Sequence, residues 1–360
     1  MKQTLTLTSI LFCFCMAACQ NNRNMIDKFY WNPGQSAPNY YPVETSNIFF
    51  AFADGGGVGG LGAISGYGGN SWGINTAGAA VGREFKPVPI RLDITYLSYA
   101  ENKFYTGSFK LPYHTMLSLF QKGWPDFNYS FNPPKPITDT YNEIIVGMAP
   151  GGMVVVWLSG AGYKTEVGSF QAHDTIIAMP TFIDMIGSGH SPENDDQSIF
   201  VSRIMKDSAI AENFKVKGLP LGLWQKYRQK FNIKPTLVYD QLVEVNTYNM
   251  QMDFYNGEQY YWNLADIKNT EYGLRARINK VIFNWFIPWA GKNQGFQLDI
   301  RMDEEEIMQA YEEVYGKPAN GQGELLVQIN RGNDQYKIFL QGNGKKIELK
   351  KTQGEIMLNN

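Results

Sequence analysis

Cysteine is almost missing from this 360-residue chain: Cys13, Cys15 and Cys19 are the whole set, all within the first nineteen residues. A body without further cysteine holds no internal disulfide, no thiolate nucleophile and no cysteine-ligated metal. Histidine is as scarce, with His114, His173 and His190 alone, and no two have zinc-ligand spacing. No D-x-D-x-D-G loop offers a calcium site. Net charge is −2, with no basic stripe, which argues against nucleic acid as a partner. After the leader no apolar run is long enough for a membrane-spanning helix. These absences imply no metal and no cofactor.

What is present begins with MKQTLTLTSILFCFCMAAC. Lys2 precedes an apolar run, Leu5 to Met16, of signal-peptide length. Met16-Ala17-Ala18-Cys19 resembles the bacterial lipobox, in which the cysteine is freed by cleavage and lipidated. The expected layout is a signal peptide over 1–18 and a lipid anchor and tether over 19–45. An α+β unit follows over 46–235 and a second over 236–360. Without Lys2, 31 basic residues face 34 acidic ones. No Asp follows Cys19 and no acidic run comes after it, so the expected address is the outer membrane, facing the periplasm.

Aromatics at 14% and 36 glycines point to a β-rich fold with many turns. Ile90, Leu92, Ile94 and Tyr96 alternate with polar residues as a half-buried strand, and Phe104 to Lys110 returns. Tyr113, Met116, Leu117 and Phe120 form one helix face, stopped at Gly123. A Pro-rich loop fills 131–138, and strands follow at Ile144 to Met148, Met153 to Leu158 and Lys164 to Phe170. The order then recurs. Val281, Phe283, Trp285 and Ile287 alternate, Phe296 to Arg301 returns, and Asp303 with Glu306 can form a capping box. Ile307, Ala310, Tyr311 and Val314 make the helix face, with three strands after Gly316. The pattern reads as two duplicated ββαβββ units, about 90–170 and 280–351, in an α+β fold of mostly antiparallel sheets. The insertion between them contains a helix over Leu221 to Phe231, a polar loop over Ser188 to Gln197, and strands near 236–262.

The stretch DGGGVGGLGAISGYGGNSWG, Asp54 to Gly73, matches two catalytic patterns. Gly57, Gly59 and Gly62 fit G-x-G-x-x-G, and Ser71 sits in G-x-S-x-G. Each pattern needs a helix after it, and the glycines here oppose one. The stretch reads as a flexible loop in which Tyr67 or Trp72 meets a partner.

The segment IIVGMAPGGMVVVWLSG, Ile144 to Gly160, resembles a family of Gram-negative lipoproteins known only as a domain of unknown function. Its members carry a GxAPGGxVxVWLxG hairpin. Ser98 to Tyr105 is similar to the family's SxxExKFY, Leu111-Pro112 to its LP, and Trp224, Tyr227 and Arg228 to its W-x-x-Y-R segment. The resemblance covers about 30–235. It implies an exported, lipid-anchored α+β protein and brings no catalytic residues. Some relatives lie beside type VI secretion lipase effectors, which implies an immunity role. The expected function is therefore a non-enzymatic envelope lipoprotein, held to the membrane by Cys19, that binds a protein partner. A glycan-binding lipoprotein is the second reading, through aromatics such as Trp262, Trp285 or Trp289. A serine hydrolase acting through Ser71 is the third.

Overall fold

Period-two alternation produces strands where it was expected. The computed structural model describes residues 27–60, 62–67, 72–78, 85–128, 130, 133, 135–241, 245–263 and 270–359. Cys19, its leader and Ser71 lie outside the described residues. The fold is α+β with mostly antiparallel sheets.

The first half of the chain runs β1 (Lys28–Tyr30), β2 (Asn32–Ser36), β3 (Val43–Ala51), β4 (Gly57–Gly59), β5 (Ile64–Ser65), β6 (Phe85–Pro87), β7 (Arg91–Ser98) and β8 (Lys103–Lys110). Helix α1 (Tyr113–Lys122) leads to the hairpin β9 (Trp124–Asn128) and β10 (Lys135–Asp139). Next come β11 (Glu143–Ala149), β12 (Met153–Gly160), β13 (Tyr163–Gln171) and β14 (His173–Thr175). A connector holds α2 (Met179–Met185), α3 (Gln197–Met205), α4 (Ser208–Lys217) and α5 (Leu223–Tyr227). The second half runs β15 (Phe231–Tyr239), β16 (Asn246–Phe254), β17 (Gln259–Asn263), β18 (Gly273–Arg275), β19 (Ile278–Trp289), β20 (Lys292–Arg301), α6 (Glu304–Tyr315), β21 (Gln322–Ile329), β22 (Tyr336–Gly342), β23 (Lys345–Glu348) and β24 (Gln353–Asn359).

Strand pairing follows one plan in both halves. β2 lies parallel to β11, which continues into the antiparallel β11-β12-β13; β15 lies parallel to β21, which continues into β21-β22-β23. β3 pairs with β4 and β7, and β8 with β7 and β14; β16 pairs with β17 and β19, and β20 with β19 and β24. Even the short pairs β1-β6 and β15-β18 correspond. The plan spans 28–175 and 231–359, beyond the ββαβββ order read from the sequence.

The halves meet edge to edge. β13 pairs with β17 at Lys164 and Gln259, so the first half's β2-β11-β12-β13 and the second half's β17-β16-β19-β20-β24 form one nine-stranded sheet. One face of it holds two cores. Val154, Val156 and Leu158 pack toward the sheet of β3, β7 and β8 and toward Met116 and Phe120 of α1. Met252, Val281, Phe283 and Ile300 pack with Leu325, Val327 and the buried face of α6. β12 is buried on both sides, hence its unbroken apolar run.

Several expectations change. Residues 28–45 are not tether: Trp31 is fully buried and β1 to β3 belong to the first core. The division at 235/236 falls inside β15, whose 231–239 is one strand. The glycine-rich stretch contains β4 and β5, and its end is docked: the Gly73 N–H donates to Ser36 Oγ at 3.0 Å, and Gln35 and Asn75 are hydrogen bonded. Glycine is required at Gly73, where φ is +83° and a Cβ would lie 2.8 Å from Gly257 Cα. The helix expected over 221–231 is only the short α5, because Phe231 already begins β15. β10 occupies the second half of the expected Pro-rich loop. The capping box forms by half. Asp303 accepts from the Glu306 N–H at 2.9 Å, but the Glu306 carboxylate accepts from the N–H groups of Lys350 and Lys351.

Candidate functional site

The other face of the nine-stranded sheet is covered over its first half only. There Tyr41, Trp224 and Tyr227 pack on Ile145, Val155 and Trp157. Over β16, β19 and β20 the same face carries Gln251, Asp253, Lys280, Ile282 and Arg301, all half-buried or exposed. The step where the cover ends is a groove of about 890 Å³, within the range of small-ligand sites. Three stretches build it: Pro38–Tyr41 with Trp72, the connector from Asn213 to Tyr227, and the second half from Asp253 to Glu305.

The walls are aromatic. Trp224 meets Tyr41 edge-on at 5.2 Å, Trp72 meets Trp157 edge-on at 4.9 Å, and Tyr227 tilts against Tyr255 at 5.1 Å. Tyr40 has φ +69°, in the left-handed region that bulky residues avoid. The Tyr41 N–H donates to Pro38 O, closing a turn whose third position is Tyr40, and the Tyr40 N–H donates to Gly66 O. Such strain costs on the order of 1–3 kcal/mol and collects at ligand sites. Trp72 Nε1 is buried with no hydrogen-bond partner among the described residues.

The floor is polar. Lys164, Gln259, Asp253, Lys280 and Arg301 are directly opposite one another on β13, β17, β16, β19 and β20, so they form a single row. Asp253 accepts from Gln251 at 3.1 Å and Gln259 at 2.8 Å, and Lys280 pairs with Asp299 at 2.8 Å. Burial pushes the half-buried Lys164 ammonium pKa down, against the pull of Asp253 and Glu143. Behind the row a charged cluster ties the halves and α5 together. Arg228 grips Glu166 at 2.6 Å, Lys230 reaches the buried Glu258 at 2.9 Å, and Asn256 donates to Glu258 at 3.0 Å. Burial raises the Glu166 carboxyl pKa, and Arg228 opposes it. Tyr227 OH donates to Glu304, and burial together with that carboxylate raises the phenol pKa.

Glu101 accepts from Ser98 Oγ at 2.9 Å, Tyr105 OH at 2.8 Å and the Gly151 N–H at 3.1 Å, so the Ser98–Tyr105 segment clasps the Ala-Pro-Gly-Gly turn. Gly152 sits in it at φ +76°, where a Cβ would lie 2.6 Å from Ala172 O. Trp224, Tyr227 and Arg228 supply the groove wall and the charged cluster.

The structure divides the other sequence-predicted residues. Trp72 lines the groove. Tyr67 is exposed and donates to Asp207 at 3.2 Å. Trp262 is buried, and Trp285 is fully buried with its indole donating to Asn333 at 2.9 Å, so neither presents a face to a ligand. The side chain of Trp289 lies outside what the structure describes. Among the described residues no group of acids and histidines has metal-site geometry, and no helix is long and apolar enough to cross a membrane. Sequence reasoning missed Tyr40, which lies in a turn, and Lys164, Asp253 and Arg301, which are joined only by strand register.

His190 stands outside the groove, exposed, with Asp195 on Nδ1 and Asp184 on Nε2, each at 2.9 Å. The hydrogen bond to Asp195, then that to Asp184, raises its pKa. A raised folded value means stability that is full below the unfolded value, about 6.5. It is lost as pH rises through the folded value. NMR titration should give a His190 midpoint above 6.5, moved down in Asp195→Asn. A midpoint at or below that figure would contradict these contacts.

No curated protein and no solved structure matches the chain. The family model described as "Protein of unknown function (DUF2931)" matches residues 17–222, which covers the first half and most of the connector and stops just before α5. The match spans more than half of the chain, and the protein therefore belongs to the DUF2931 family.

Proposed function

We propose that this is a non-enzymatic binding protein of the cell envelope, anchored by a lipid on Cys19 to the outer membrane and facing the periplasm. It takes a segment of a protein partner into the groove. The observation that carries the reading is the groove itself: aromatic walls, a polar floor, and a strained Tyr40 on its rim. A more specific version is immunity, in which the body occupies the site of an incoming effector. Glycan binding is the second reading. It is favoured by the combination of aromatic faces with the amide side chains of Asn39, Asn279 and Gln259 in the groove. We also infer that the two halves arose by duplication; the recurring order of pairings supports it.

Two measurements test this. Full-length protein, extracted from native cells, should carry a protein partner that Trp224→Ala releases; recovering only glycan would favour the second reading. Cys19→Ala should move the protein from the membrane fraction to the soluble fraction. Retention of the variant in the membrane would refute the anchor.

A further inference from the structure

We propose that the segment received by the groove is an extended acidic peptide, laid across the polar row with one carboxylate at Lys164 and another at Arg301. The inference rests on the reading of the protein as a binder of a protein partner.

Four strand spacings separate Lys164 from Arg301, roughly 19 Å at about 4.8 Å each. Between the ends, the charges are already used. Lys280 is paired with Asp299, and Asp253 takes N–H groups from two glutamines. Lys217 is paired with Glu304, which also accepts from Tyr227. Glu258 is held by Lys230 and Asn256. Glu143, on the far side of Lys164, accepts from Asn75 at 2.8 Å. That leaves Lys164 and Arg301 without an ion pair among the described residues. The remaining acid, Glu305, is exposed in the first turn of α6, where the helix dipole favours a carboxylate.

An extended chain rises about 3.3 Å per residue, so roughly 19 Å is about six residues. A separation of six is even, and both acidic side chains then fall on the same side of the strand. The alternate side chains face away from the row. Lys164 is half-buried and loses hydration without gaining a partner; an arriving carboxylate supplies one.

The probe is a labelled nonapeptide of alternating valine and threonine with glutamates at positions 2 and 8. Its controls carry glutamines there, or glutamates at 2 and 5. Anisotropy titrations use the detergent-solubilised full chain. The 2,8-glutamate peptide should bind at least about tenfold more tightly than either control. Lys164→Met and Arg301→Gln should each remove that advantage. Arg301 is exposed, so its variant tests the idea even if Lys164→Met folds poorly. Equal binding of the glutamine peptide, or unchanged affinity in both variants, would overturn the proposal. So would tighter binding of an oligogalacturonate, which would assign the row to an acidic glycan. A natural partner captured equally well by the double variant would leave protein binding standing and remove this mode alone.

Discussion

Replacing Trp157 by alanine lowers the stability of the protein by about 4 kcal/mol, the middle of the range for loss of a buried aromatic. Trp157 is fully buried where three parts of the chain meet. Its indole donates to Asn256 O at 3.2 Å, and Trp72 stands edge-on against it. Glycines line the ring: a Cβ on Gly147 would lie 2.3 Å from Cζ3, and one on Gly257 would lie 3.0 Å from Cζ2. Backbone flanking the ring has no side chains to move in, so the cavity stays open and its full cost is felt. Trp157→Phe refills part of the volume but leaves the Asn256 carbonyl unpaired, and should cost about 2 kcal/mol. Denaturant titration checks both values; a loss below about 1 kcal/mol for the alanine variant would show that the site collapses. Because Trp157 also backs Trp72, the variant should weaken binding in the groove.

Glu258→Ala should cost about 2 kcal/mol, the effect of leaving buried donors without their acceptor. The Glu258 side chain is 1% exposed. It receives Lys230 Nζ, Asn256 Nδ2 and the Glu166 N–H. Its removal leaves the Asn256 amide and the Glu166 N–H without this acceptor, while the exposed Lys230 ammonium turns to water. Lys230→Met alone should cost less than about 1 kcal/mol, because its ammonium is 37% exposed. A double-mutant cycle reads the coupling directly. If the two single losses simply add in the double variant, the pair does not act as a unit.

The strands and helices with strong periodicity were legible in the sequence. β7, β8, α1, β11 to β13, β19, β20 and α6 lie where their apolar residues repeat. The failures have physical causes. Pro33, Gly34 and Pro38 look like punctuation of a tether, yet Pro33 and Gly34 lie in β2, an edge strand that pairs with β11 alone. In the connector, α3 and α4 bury few apolar residues, so their periodicity is faint. Their N-caps are Asp196 and Asp207, each accepting from N–H groups of the first turn. Of the groove, Trp72 was legible in the sequence and the polar row was not. Gln259 meets Lys164 and Arg301 meets Lys280 only through register, and register is a property of the finished sheet. Trp262 and Trp285 are buried for a simpler reason. A large aromatic ring is first of all material for a core, and Trp285 is used that way.

The seam between β13 and β17 joins two unlike edges. Unlike edges can be joined again and again, because each added unit brings a fresh copy of both; this is the geometry of a fibre. The corresponding edge of the second half is β23, and it carries Lys345 and Lys346, both exposed. Lysines on an edge strand oppose a further strand. Lys345 donates to Glu313 O at 2.6 Å and Lys346 stands 4.2 Å over Phe339, so both charges are held in position there. The fold thus contains one edge that accepts a strand and another whose lysines oppose one.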